Sequence, residues 1–135
     1  MNQYYEIVVF TAGLKDYADW VINDFDTQGY ITHRLYRDHT KLRNGIHIKD
    51  LSRLGRNLQH TIIIDNIQEN FMSQNDNGIH IKGWYNDPAD RELDKLLPFL
   101  KSLVTRKIAD VRNELRILRI YRQCTIECKQ FGSPS

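Results

Sequence analysis

The stretch HTIIIDN at positions 60–66 constrains this chain more than any other. Its run of β-branched apolar residues has the length and composition of a buried strand, yet it halts on Asp65 and Asn66. A strand interior rejects an unpaired carboxylate, so the two polar residues belong at the strand's end, facing water, an ion or a ligand. The pattern recurs in YYEIVVFTAG, where the apolar run Ile7–Phe10 stops at Thr11. The second segment is followed by Leu14, Tyr17, Ala18, Val21, Ile22 and Phe25 at helical spacing, closed by Gly29. Strand, loop and helix alternate in this way along the chain, which predicts an α/β domain with a parallel sheet.

Further along, positions 30–55 alternate polar and apolar residues around Asn44-Gly45, a hairpin signal. DLSRLGRNLQH reads as a short amphipathic lead into a strand at 61–64, and NGIHIKGWYNDPAD offers another strand and a Pro-marked turn. From Asp90, a candidate N-cap, Leu93, Leu96, Leu97, Leu100 and Val104 fall on one helical face, with Pro98 as an expected kink. A last helix carries Ile108, Val111, Leu115, Leu118 and Tyr121 on one side and basic residues on the other, a solvated face rather than a membrane contact.

A chain of 135 residues with 41% hydrophobic content supports one domain with a modest core. Net charge is +2 with acids and bases interspersed, which argues against a nucleic-acid surface. No apolar run approaches the roughly 20 residues of a membrane span, and the N-terminus lacks the basic flank and apolar core of a signal peptide. Cys124 and Cys128 have no second pair and no nearby histidine to complete a zinc site, so idle thiols are expected. His47 and His80 sit in strand-like alternations as solvated imidazoles.

In parallel sheets ligands bind outside the carboxyl ends of the strands, where Thr11, Asp65 and Asn66 are expected. A hydroxyl can donate to a phosphoryl oxygen, and a carboxylate beside an amide oxygen offers the hard ligands Mg²⁺ prefers. The pattern admits two readings: a phosphate site, or Thr11 and Asp65 as caps of the turns that follow them.

From YYEIVVFTAGLKDYADWV through HRLYRDH, IHIKDLSRLGRNL, TIIIDNIQENF, DNGIHIKGWYNDPAD and LLPFLKSLV, the chain resembles the small carboxy-terminal-domain phosphatases of RNA polymerase II. These belong to the NLI-interacting-factor-like branch of the haloacid dehalogenase superfamily. The resemblance implies a Rossmann-like fold with a small β-hairpin insertion, C-terminal helices and a Mg²⁺-dependent phosphatase acting on phosphoserine or phosphothreonine. It places the phosphate-binding hydroxyl on Thr11, the motif lysine on Lys49, a substrate-contacting arginine on Arg37 and the metal motif on Asp65 and Asn66. An aspartyl-phosphate route needs those groups: a hydroxyl to orient the phosphoryl, a cation to offset its charge, oxygens for the metal.

One part of the family pattern has no counterpart. The Asp-x-Asp-x-Thr motif, whose first aspartate is the family's nucleophile, occurs nowhere in the 135 residues. Asp24-Phe25-Asp26-Thr27 imitates it but belongs to the end of the helix after Thr11. The expectation is therefore a partial phosphatase domain at 1–104 that lacks its first core strand, a helical extension at 105–128 and a flexible tail at 129–135. Such a chain should be inactive alone, hold Mg²⁺ weakly or not at all, and take a phosphoprotein, a phosphopeptide or a complementing protein segment as partner; the sequence does not fix its compartment, with cytoplasm or nucleus favoured and mitochondria the alternative. GIHIKDLSRL and LLPFLKSL are also similar to the phosphatase-like receptor subunit of the mitochondrial inner-membrane translocase, which implies the alternative of a non-catalytic binding module.

Overall fold

The computed structural model describes residues 2–81 and 92–130. The apolar segment IVVF forms strand β1, Ile7–Phe10, which feeds helix α1, Lys15–Phe25, and returns to β2, Ile31–Leu35, parallel to β1. This is the expected strand–loop–helix unit. Its small core joins Ala18, Ile22 and Tyr36 with Val9 and Ile31. Leu14 and Tyr17, expected on the buried stripe of α1, are 61% and 68% exposed. A two-stranded sheet is too narrow to cover so wide a stripe, so only the Ala18–Ile22 side is covered.

Strands β3, Lys41–Arg43, and β4, Ile46–Ile48, form the antiparallel hairpin that Asn44-Gly45 signals. Both turn residues have positive φ, 50° and 79°, as a tight type I′ connection requires. After it come 3-10 turns at Leu51–Leu54 and Leu58–His60, strand β5, Ile63–Asp65, a longer 3-10 segment Gln68–Asn77, and β6, Gly78–His80, parallel to β5. Leu51, Ile63 and Phe71 pack beneath these turns with Leu54 and Leu58.

Helix α2, Glu92–Thr105, runs through Pro98, and α3 spans Val111–Gln130. Leu96, Leu100, Leu103, Val111 and Leu115 close over Ile79, with Ile64 and Ile81 at the margin, so α3 builds the main core together with α2. Two assignments on these helices change. Leu103 is buried while Val104 is 37% exposed, and Tyr121 is 71% exposed. The Pro-marked turn, the Asp90 cap, the terminal tail and the side chains of Phe25, Leu93, Cys124 and Cys128 lie outside the described residues.

The architecture is mixed α/β with small parallel sheets and C-terminal helices, in keeping with a partial Rossmann-like fold. Among the described residues the parallel strands form two two-stranded sheets, β1–β2 and β5–β6, where one parallel sheet was expected, and the third sheet is the expected hairpin. Among the described residues β1 pairs only with β2, and β5 only with β6.

Candidate active site

The residue that follows β4 meets the last residue of β5. Lys49 Nζ donates to Asp65 Oδ2 at 2.6 Å, with both residues buried. Lys49 is held from behind as well, its backbone N–H donating to the Asn70 carbonyl at 2.7 Å. Asp65 is fully engaged: Oδ1 accepts from the Ile67 N–H at 2.9 Å, and Oδ2 also receives a longer bond from Asn70 Nδ2 at 3.4 Å. The pair sequesters opposite charges where neither would be tolerated alone.

The end of β1 reaches the same place, for Lys49 Nζ lies 6.0 Å from the centroid of the Phe10 ring. Next in sequence, Thr11 accepts the Gly13 N–H on its Oγ1 at 2.9 Å. Thr11 and Asp65 thus both cap the turns that follow them, and the capping reading is realised at each. Thr11 Oγ1 donates to no acceptor among the described residues, so its hydroxyl proton is open to a ligand. Arg37 docks on this loop through Nε to the Ala12 carbonyl at 2.6 Å and through its N–H to the Gly13 carbonyl at 3.1 Å. Its terminal Nη groups have no partner among the described residues. Asn66 is exposed, with its carbonyl 3.0 Å from His80 Nε2.

The structure therefore brings Lys49 and Asp65 into contact, sets Arg37 on the Thr11–Gly13 loop, and leaves Asn66 at the rim. Two contributors escape sequence reasoning. Asn70, which braces both members of the ion pair, lies in a 3-10 segment with no periodicity to read. Asp19 fixes the approach of β2: it accepts from Lys15 Nζ at 2.6 Å, Arg34 Nη1 at 3.1 Å and the Tyr36 hydroxyl, next to Arg37. These donors, Lys15 foremost and then Tyr36, hold its carboxyl down at about 2.

As a metal site the residues fall short. Asp65 is one carboxylate and already neutralised by an ammonium, Asn66 adds one neutral oxygen, and no cluster of three acidic, His or Cys side chains exists among the described residues. Mg²⁺ wants six hard oxygens with carboxylate charge among them. These residues alone do not fit the ion.

A family profile described as NLI interacting factor-like phosphatase matches residues 1–112. The CTD small phosphatase-like protein 2 of Dictyostelium discoideum is 42% identical over 86% of the chain and 20% of that protein's length. A probable C-terminal domain small phosphatase of the same organism is 47% identical over 80% of the chain and 35% of its own length. The mitochondrial import inner membrane translocase subunit TIM50 of Kluyveromyces lactis is 38% identical, covering 86% of the chain and 24% of that subunit. The chain thus spans only between a fifth and about a third of these relatives, at 20%, 35% and 24%.

Proposed function

Because the chain belongs to the NLI interacting factor-like phosphatase family, we propose that its residues supply the phosphoryl-holding side of a Mg²⁺-dependent protein serine/threonine phosphatase site, without its nucleophile. The observation that carries this reading is the meeting of Lys49 with Asp65 beside the loop that holds Thr11 and on which Arg37 docks. Thr11 orients a phosphoryl oxygen with its free hydroxyl proton, while the Nη groups of Arg37 and the ammonium of Lys49 balance the negative charge. Asp65 and Asn66 do not fit Mg²⁺ by themselves, and on this reading the ion is held only where further carboxylates complete its shell.

Turnover needs an aspartate in line with phosphorus, and Asp65 is a poor substitute with both oxygens engaged. Losing a nucleophile that acts as a unit with its neighbours removes on the order of 10⁴-fold of the rate or more. The test is hydrolysis of p-nitrophenyl phosphate in excess Mg²⁺ by the 135-residue chain, by its Asp65→Asn variant, and by a polypeptide extended upstream with an Asp-x-Asp-x-Thr strand. Activity only in the extended polypeptide supports the proposal. Turnover by the unextended chain that vanishes in Asp65→Asn identifies Asp65 as the nucleophile and overturns it. Calorimetric titration of the unextended chain with Mg²⁺ is expected to give weak or no binding.

A second reading, a phosphatase-like binding module, is favoured by the closed state of the Lys49–Asp65 pair. An ammonium already satisfied by a buried carboxylate suits a structural role as well as a catalytic one. If the extended polypeptide is also inert yet binds phosphopeptides, this second reading holds.

A further inference from the structure

A cleft of about 460 Å³ opens beside the Thr11–Gly13 loop, lined by Ala12, Gly45, Ile46, His47, Ile67, Glu69 and Asn70. Ala12 carries the carbonyl on which Arg37 docks, and Asn70 braces Asp65, so the cleft adjoins the phosphoryl site directly. Its lining has a defined chemistry. Ile46 and Ile67 give apolar walls, and Ile67 is 45% exposed. His47 is turned to its own hairpin, with Nδ1 3.0 Å from Thr40 Oγ1. Glu69 is the one charged side chain in the lining, and its carboxylate makes no hydrogen bond or ion pair among the described residues. Arg43, the cross-strand partner of Ile46, does not line the cleft.

Apolar walls with a lone carboxylate match a lysine or arginine side chain, which lays its methylene stem along apolar surface and keeps its charge at the end. Ala12 also accepts from Arg37 through its carbonyl, and the Nη groups of that guanidinium, without a partner among the described residues, match a phosphate. A positive and a negative recognition element thus both neighbour Ala12. Consecutive residues of an extended peptide advance about 3.3–3.6 Å, so a ligand that reaches two neighbours of one loop residue carries its two charges close together in sequence.

We propose that the cleft is a specificity subsite: it selects phosphoserine or phosphothreonine segments with a lysine or arginine within two residues of the phosphate, through Glu69. The assignment rests on the phosphoryl-site reading above. A phosphopeptide with glutamate in that place is disfavoured, because its carboxylate would face Glu69 next to the apolar walls.

The test is fluorescence anisotropy with the 135-residue chain at low salt. The probes are phosphoserine peptides carrying Lys or Glu in turn at the two positions on either side, and their unphosphorylated counterparts. The expected result is that at one position Lys binds on the order of tenfold tighter than Glu. Glu69→Lys, on an exposed residue and checked for folding by circular dichroism, is expected to erase or invert that preference while phosphate dependence stays. Phosphopeptides that bind equally whatever the neighbouring charge, or a preference untouched by Glu69→Lys, overturn the subsite and leave the phosphoryl reading standing. Lysine peptides that bind equally with and without phosphate, and lose binding in Glu69→Lys, overturn the phosphopeptide assignment through the failure of the phosphoryl reading itself.

Discussion

At the scale of single residues, the Lys49–Asp65 pair makes the sharpest demand. Replacing Lys49 with Met keeps the stem and removes the charge, leaving a carboxylate that is only 6% exposed without its cation. Such a break costs about 3–5 kcal/mol, whereas a hydrophobic pair of similar volume is often neutral. Urea denaturation should therefore show Lys49→Met strongly destabilised and Lys49→Met/Asp65→Leu restored over most of the loss. Gly78 makes a different demand. A Cβ there would lie 2.1 Å from Cε2 of the buried Phe71 ring, far inside contact distance. Gly78→Ala is expected to cost about 1–3 kcal/mol by overpacking, read as a lower urea midpoint. The sequence showed Asp65 at a strand end because a buried run cannot carry an unpaired carboxylate. It could not show that Lys49, sixteen positions earlier, is the partner. That pairing forms where the ends of β4 and β5 both meet Asn70, and only the family resemblance singled out this lysine.

At the scale of elements, Asp19 joins α1 to β2. Of its partners, Lys15 is legible as an i,i+4 pair on the helix, but Arg34 in the next strand and Tyr36 just after it leave no local signature. The strands themselves were legible because their apolar runs are bounded by turn residues, and the Asn44-Gly45 hairpin because few sequences satisfy two positive φ values. The faces of the helices were less so, since periodicity marks which residues are apolar and not how much surface waits to cover them: Leu14 and Tyr17 have none. The carboxyl of Asp19 falls from its ordinary 3.8 to about 2 in the folded chain. A depressed carboxyl contributes stability that is present above its unfolded value and lost as pH falls through the folded one. The α1–β2 unit is therefore expected to weaken between about pH 4 and pH 2, and Asp19→Asn to flatten that part of the profile. Thermal melts of both proteins across this range, followed by circular dichroism, check the sign.

At the scale of the whole molecule, β1 and β5 each keep an edge that no other described strand pairs, and every residue of β1 is only half-buried. Unpaired edges on apolar strands invite further strands to add. The 135-residue chain is expected to self-associate as concentration rises, and a single monomeric species throughout sedimentation velocity would contradict this. A polypeptide that supplies a strand to pair with these edges should abolish the association. The junction between the sheets has one more consequence. The β1–α1–β2 unit is tied to the remainder at Tyr5, whose hydroxyl donates to the Leu100 carbonyl at 2.6 Å, at Glu6, gripped by two nitrogens of Arg56 at 2.9 Å each, and at Phe10 against Lys49. These ties are made by side chains, and the Glu6–Arg56 grip is solvent-exposed and weakened by salt. A joint of that kind lets one part open while the other stays closed. In native-state hydrogen exchange, the β1–β2 amides should lose protection together and ahead of those in β5, β6, α2 and α3, and the gap should widen with ionic strength: the chain breathes along a seam, and the cleft beside Ala12 lies on it.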